Sequence, residues 1–189
     1  QEAGITLDDI KRYRQLGSMA PGHPEYGMTA GVETTSGPLG QGCGNSVGMA
    51  IAQKWLAARY NKPGFELFDY RVYVLCGDGD MMMSPGVMWT AAHERLPLLY
   101  VVHNNHAWNQ ELIWVQGIAG RRSRGADRCH IGNTMQDPYI DFGAMAKSMG
   151  LHGETVKDPK DLGAAYRRAL DVVKKGEPAL VDVWAQPRG

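Results

Sequence analysis

Little in this 189-residue chain is strongly biased, and each shortage narrows what it can be. Twenty basic residues offset twenty acidic ones, so the formal charge is zero and no basic face invites nucleic acid or an acidic membrane surface. Cysteine is scarce. Cys43, Cys76 and Cys129 are odd in number and lack metal-ligand spacing, which argues against a disulfide framework and for a reducing cytoplasm. No apolar run approaches the roughly 20 residues that span a bilayer, and no charged–apolar–small signal segment opens the chain. Internal repeats and low-complexity tracts are missing too. No G-x-G-x-x-G joins a strand to a helix and no phosphate-loop lysine motif occurs, which counts against a plain nucleotide-binding domain. The length suits one domain, residues 1–189, with a real core.

Glycine is what the chain has in plenty: 24 residues, clustered in the first half. Thr6 with Asp9 reads as a helix start, with Leu7, Ile10 and Tyr13 as its apolar side. Residues 17–42 read as loop. A helix over residues 40–60 follows, with Val47, Ile51, Trp55 and Ala58 as the expected buried face. Its first turns hold Gly40, Gly42, Cys43, Gly44, Ser46 and Gly48, poor helix formers that make sense if something lies close to that end. Strands are expected at 71–76, 98–103, 151–156 and 179–184, and helices at 85–95, 137–149 and from Asp158 to about Gly176. Asp158-Pro159-Lys160-Asp161 supplies a cap, a first-position proline and an acid, and Leu162, Ala165, Ala169, Leu170 and Val173 supply the buried face. Residues 106–136 read as a long irregular segment, which in a compact domain is usually functional. Alternation of strands and helices predicts an α/β fold, a doubly wound and mostly parallel sheet with helices on both faces.

Two loops carry the chemistry. Gly77-Asp78-Gly79-Asp80 follows one apolar strand, and Asn104-Asn105 follows the next, with 27 positions between Asp78 and Asn105. A carboxylate and an amide at neighbouring strand ends make a hard-oxygen half-site, suited to Mg²⁺ or Ca²⁺ clamping a diphosphate. Glycines at 77 and 79 let backbone N–H groups approach phosphate oxygens. The competing reading of Asp78 is a turn cap. Asp80 either touches phosphate through its backbone or caps the next helix, and Asn104 reads as a structural bond to the sheet edge. His103 and His106 read as local packing, since hard cations prefer oxygen. His93 reads as a core or surface histidine of its helix. Arg121, Arg122, Arg124 and Arg128 either meet a substrate anion or form a solvated loop. Met81-Met82-Met83 reads as adaptable packing.

GDG followed by NN at this distance resembles the diphosphate-binding domain of thiamine diphosphate enzymes. The resemblance implies a metal held by Asp78, Asn105 and the backbone carbonyl of Ala107, with Gly77, Gly79 and Asp80 at the diphosphate. Upstream, residues 7–18, Pro21-Gly22-His23-Pro24-Glu25 and the run from Gly31 to Gly42 resemble transketolase. This implies that Gly37, Pro38 and Leu39 line the cofactor and that His23 lies beside the hydroxyketone end of the substrate. Downstream of residue 80, Met82 to His93, His103-Asn104-Asn105, Asp137 to Phe142 and Gly176 to Val183 resemble acetolactate synthase and 2-oxoacid decarboxylases. Met83-Ser84-Pro85 stands where a transketolase usually shows Glu-Gly. The two likenesses meet at GDGD, so a recombined domain is expected, a divergent natural subunit being the other possibility.

The implied function is thiamine diphosphate- and Mg²⁺-dependent cleavage or formation of C–C bonds in ketose phosphates or 2-oxo acids. The family's pyrimidine-binding domain has no room here, and with it goes the usual activating glutamate; Glu33 and Glu111 are the nearest substitutes. A homo- or hetero-oligomer with a pyrimidine-domain subunit is therefore expected, as is weak activity of the isolated chain. The alternative is a non-catalytic cofactor-binding module. Neither nucleic acid nor membrane is an expected partner.

Overall fold

The computed structural model describes residues 6–12, 15–21, 23, 26–29, 32, 34 and 37–185. The expected contribution of Tyr13 to the first helix, and that of the Ile10 side chain, lie outside the described residues. Four strands form one sheet: β1 (Val72–Gly77), β2 (Leu98–Asn104), β3 (His152–Val156) and β4 (Ala179–Trp184). Their order is β1-β2-β4-β3 and every neighbouring pair is parallel, so all carboxyl ends fall on one edge. Parallel neighbours need crossover connections, and helices supply them.

Seven helices accompany the strands among the described residues: α1 (Leu7–Lys11), α2 (Gln41–Tyr60), α3 (Asp78–Met83), α4 (Gly86–His93), α5 (Asn109–Arg121), α6 (Phe142–Ser148) and α7 (Pro159–Lys174). On one sheet face α2, α4 and α6 pack over Val74, Cys76, Leu98, Tyr100, Val102 and Leu180. On the other, Ala165, Ala169 and Val173 of α7 meet Leu99, Val156, Ala179 and Val181. The doubly wound expectation is met. Each Leu- or Val-sized side chain so buried contributes about 1.5–3 kcal/mol. The second face is only partly covered: Tyr73 and Leu75 of β1 stay 62% and 79% exposed.

Local signals explain most helix starts. At α1, Asp9 accepts from the Thr6 N–H at 2.9 Å and Thr6 Oγ1 accepts from the Asp9 N–H at 3.2 Å, a reciprocal capping box. At α7, Asp158 Oδ1 accepts from the Lys160 N–H at 3.0 Å with Pro159 at the first position.

Four expectations are corrected. Helix α2 buries Cys43, Ser46, Val47, Ala50 and Gln53, while Ile51, Trp55 and Ala58 are exposed. Small side chains face inward because α3 presses on this end. A Cβ on Gly40 (φ 83°) would stand 2.8 Å from Met83 Cβ, and Ser84 Oγ donates to the Gly40 carbonyl at 2.9 Å. The GDGD stretch, read as a loop, is the start of a short helix α3 directly after β1, ahead of α4, which matches the 85–95 helix. Within the supposedly irregular 106–136, the 13-residue α5 forms with Ala119 as its one buried residue. Finally, α6 starts after Asp141, whose Oδ1 accepts from the Ala144 N–H at 2.8 Å, and not at Asp137-Pro138.

Candidate functional site

The carboxyl edge of β1 and β2 is built around Asp78. The chain leaves β1 at Gly77 and turns at once into α3, which places Asp78 at the first helical position, 2% exposed. Its Oδ1 accepts from the Gly79 N–H at 3.0 Å and its Oδ2 from the Ala107 N–H at 3.1 Å. Asn105 Oδ1 accepts from that same Ala107 N–H at 3.1 Å. One backbone N–H therefore draws the oxygens of Asp78 and Asn105 to a common point. Burial pushes the Asp78 carboxyl above its ordinary range, against the pull of the Gly79 and Ala107 N–H groups. Among the described residues no basic side chain forms an ion pair with it.

The neighbouring residues hold the two loops in place. Asp80 bonds through its carboxylate, accepting from Gly77 N–H at 3.2 Å and from Gly40 N–H at 3.3 Å, and so ties α3 to the start of α2. The carboxylate thus caps its own helix, α3, and not the helix that follows. Asn104 is 1% exposed and structural: its amide donates to Asp182 Oδ1 at 3.0 Å and to the Ile140 carbonyl at 3.3 Å. His106 packs edge-on between Tyr139 and Trp184, with ring centroids at 4.9 and 4.4 Å, and burial depresses its pKa. Trp108 N–H donates to the Asn133 carbonyl at 2.8 Å, and Met135 N–H to the His106 carbonyl at 2.7 Å, which pins the loop to the segment beyond α5.

A cavity of about 980 Å³ opens over this floor. Leu39, Gly77, Asp78, Gly79, Asp80, Asn105 and Ala107 all line it. Gly37 and Pro38 lie on the exposed loop before α2 and are not among its lining residues. His23 lines a second cavity of about 670 Å³, and Gln110 borders both. Glu33 lies outside the described residues, whereas Glu111 lines the first cavity. His103, read as packing, is exposed and lines it too, because its position on β2 turns it to the face that α7 leaves open. His93 is exposed and stacks on Trp89 at 4.8 Å. Of the four arginines, Arg121 alone borders the cavity, its guanidinium 5.3 Å from the centre of the Trp114 ring.

Sequence reasoning missed the walls. Trp108 covers Gly79 so closely that a Cβ there would lie 2.6 Å from its ring, and Trp114 stands on α5. A tryptophan three positions past Asn105 was an available signal. Asp182 was another, as the one charge in an otherwise apolar strand.

The donor set fits a hard divalent cation with phosphate. It offers two side-chain oxygens and no sulfur, and among the described residues no cluster of three His, Cys, Asp or Glu stands ready to complete a shell. Magnesium is bound in this way, by one or two carboxylate or amide oxygens, with phosphates and water completing an octahedron. The buried anion with no partner cation and the glycine-lined floor are two further features that such a group would satisfy.

The family model described as "Transketolase, thiamine diphosphate binding domain" matches residues 3–116. A probable transketolase of Streptococcus pneumoniae is 34% identical over 181 residues, 95% of this chain and 24% of its own length. Transketolase 1 of Vibrio cholerae is 59% identical over 78 residues, 41% of this chain and 12% of its own. A solved transketolase variant from Pichia stipitis superposes with a TM-score of 0.68 at 34% identity, over 95% of this chain and 24% of that one. The benzoylformate decarboxylase of Polynucleobacter necessarius, with a TM-score of 0.61 at 22% identity over 82% of this chain and 25% of that one, shares the fold. The chain thus spans about a quarter, or less, of the relatives it matches. A single transketolase aligned over 95% of the chain crosses residue 80, so both halves align with one family and the expected join between two branches finds no support.

Proposed function

This chain belongs to the family of transketolase thiamine diphosphate binding domains, and we propose on that footing that its carboxyl edge holds the cofactor diphosphate through Mg²⁺. Ca²⁺ is the alternative ion. Asp78, Asn105 and the backbone carbonyl of Ala107 are the ligands, and Gly77, Gly79 and Asp80 face the diphosphate. Leu39 forms the wall towards α2, and Gly37 and Pro38 belong to the loop that carries it. The observation that supports this most is the meeting of Asp78 Oδ2 and Asn105 Oδ1 at one N–H, at the floor of the cavity.

When bound, thiamine diphosphate supplies the electron sink for breaking and making bonds next to a carbonyl. This chain's residues bind and orient. Asp78 brings a negative charge that is poorly solvated and so favours a dication strongly. Asn105 adds a neutral oxygen, which limits the charge of the site. Trp108 and Trp114 keep water off the reacting side, and His23 meets the hydroxyketone end of the substrate from the adjoining cavity.

The reaction we assign to the whole protein is ketol transfer between sugar phosphates. Family membership favours transfer over decarboxylation of 2-oxo acids, which rests on a likeness that shows the fold alone. The pyrimidine end of the cofactor and the activating glutamate come from another segment or from a partner subunit in a homo- or hetero-oligomer. Without them, the domain by itself is a cofactor-binding module of low activity. Among the described residues no helix is long and apolar enough to cross a membrane. The three free cysteines support a cytoplasmic setting.

Calorimetric titration with thiamine diphosphate, with and without Mg²⁺, tests the reading. Binding that requires the metal and vanishes in Asp78→Ala is the expected result. Metal-independent binding, or an Asp78→Ala variant that behaves like the parent, rejects it.

A further inference from the structure

A second buried carboxylate lies behind the loop that carries Asn105. Asp182, in the central strand β4, is fully buried, and no basic side chain pairs with it among the described residues. Two donors from two elements converge on it. Asn104 Nδ2 at the end of β2 donates to Oδ1 at 3.0 Å and the Phe142 N–H at the start of α6 donates to Oδ2 at 3.2 Å, while the Thr155 hydroxyl of β3, 3.4 Å from Oδ2, gives its one proton to Asp141 Oδ1 at 2.5 Å. Asn104 passes the constraint on. With its amide nitrogen committed to Asp182 and to the Ile140 carbonyl, its Oδ1 is left to accept from the His106 N–H, at 3.2 Å. An ionised carboxylate can only accept, so it fixes which end of the Asn104 amide points where.

The residue so held is in a costly conformation. His106 has φ 59°, in the left-handed region, where a non-glycine residue is strained. That turn sends the Asn105 side chain and the Ala107 N–H back towards Asp78. We propose that Asp182 is the positioning residue of the metal loop: through Asn104 it holds the His106 backbone in the turn that brings Asn105 and Ala107 to Asp78. This rests on the metal reading above. Asp182 touches neither ligand and never meets the cation. Its effect is preorganisation, as with the outer partners that orient ligands in metal sites.

Asp182→Asn is the direct test, because an asparagine there sets an amide donor or a weaker acceptor against the Asn104 amide. Mn²⁺ in place of Mg²⁺ gives a resonance signal for the free ion, read in the presence of thiamine diphosphate. Hydrogen exchange at the His106 and Ala107 amides needs no ligand. In Asp182→Asn, Mn²⁺ affinity should fall about tenfold and both amides should exchange about tenfold faster. Val173→Ala, a cavity in the α7 core of the opposite sheet face, loses stability yet should leave both readouts within about twofold. Equal losses in the two variants, or parent-like exchange at His106 in Asp182→Asn, overturn the proposal. Should Asp182→Asn not fold, Asn104→Ala keeps the carboxylate and removes the link from Asp182 to His106; a loss of about tenfold in both readouts supports the proposal and parent-like values overturn it. Asp78→Ala separates the two claims. Retention of parental Mn²⁺ affinity there ends the metal reading, while exchange at His106 and Ala107 still decides the role of Asp182.

Discussion

Two regions of this molecule bury an aspartate, the mouth between β1 and β2 and the junction of β4 with α6, and only the first opens onto a described cavity. Asp78 and Asp182 are 2% and 0% exposed, so burial does not tell them apart. Their surroundings do. Asp182 has donors from β2 and α6 closed around it, and no described cavity reaches it. Asp78 has two backbone N–H groups behind it and about 980 Å³ of open space in front. A carboxylate offers about four lone-pair positions. What distinguishes a candidate ligand from a structural residue is therefore unspent accepting capacity facing a cavity, and not burial or charge.

The comparison breaks most visibly at Asp78. Asp78→Ala should cost at least about 100-fold in metal-dependent cofactor affinity, more than any partner behind the ligands. Stripping the metal with a chelator should abolish cofactor binding in the parent and change nothing further in the variant. Calorimetry reads both. Equal losses in Asp78→Ala and Asp182→Asn would erase the distinction between the two regions. A smaller effect is expected at the wall. Gly79→Ala places a methyl 2.6 Å from the Trp108 ring, and overpacking of this kind costs roughly 1–3 kcal/mol. Trp108→Leu in the same chain should recover most of that loss in thermal melts, because it makes the missing room. Recovery would tie the cost to the ring; its failure would place the strain in the backbone of α3.

The two regions were not equally legible. GDGD and NN announced the mouth because each residue type is needed there for a local reason that spacing alone can display. The junction was invisible, since Asp182 acts through Asn104 and Phe142, 78 and 40 positions away in the chain. The same contrast runs through the fold. Helix α7 could be read from Asp158-Pro159 and from the spacing of Ala165, Ala169 and Val173. Helix α2 could not, because α3 and β1 press so near that Cys43, Ser46 and Ala50 fit the interior better than Trp55. Hydrophobicity ranks those side chains in the opposite order. Helix α5 escaped notice because it lies mostly exposed and needs no continuous apolar stripe. Strand positions were the easiest part, as parallel central strands are near-continuous apolar runs.

Acidity sharpens the comparison by a different route. Burial, opposed by hydrogen bonds from Asn104 and Phe142, pushes the Asp182 carboxyl up from 3.8 to about 6. In that window the folded chain holds a proton that the unfolded chain has released. The contribution of Asp182 to stability is then greatest in acid, is lost as the pH rises from roughly 4 to about 6, and is constant above. Asp182→Asn cannot titrate. In melts at fixed ionic strength, the advantage of the parent over the variant should therefore shrink between pH 4 and pH 6. An advantage that grows towards neutrality would mean that the donors outweigh burial. Asp78, also raised by burial, should lose Mg²⁺ to protons at a higher pH than an ordinary carboxylate would.

The smallest expected effect lies far from both aspartates and calibrates the others. Asp158 caps α7 at the amino end of the helix, which covers the opposite sheet face, and its carboxylate satisfies one otherwise unpaired N–H, that of Lys160. Asp158→Ala should cost about 1 kcal/mol, visible as a modest drop in Tm. Cofactor and metal affinity should not move, since α7 packs on the opposite sheet face and reaches the mouth only through the sheet. Independence is the expected behaviour of sites that share no partner. If instead this capping loss weakened metal binding as much as Asp182→Asn, general loosening of the sheet would explain both effects. The path from Asp182 through Asn104 to His106 would then carry no special weight, and the contrast between a saturated and an unsaturated aspartate would reduce to a difference in stability.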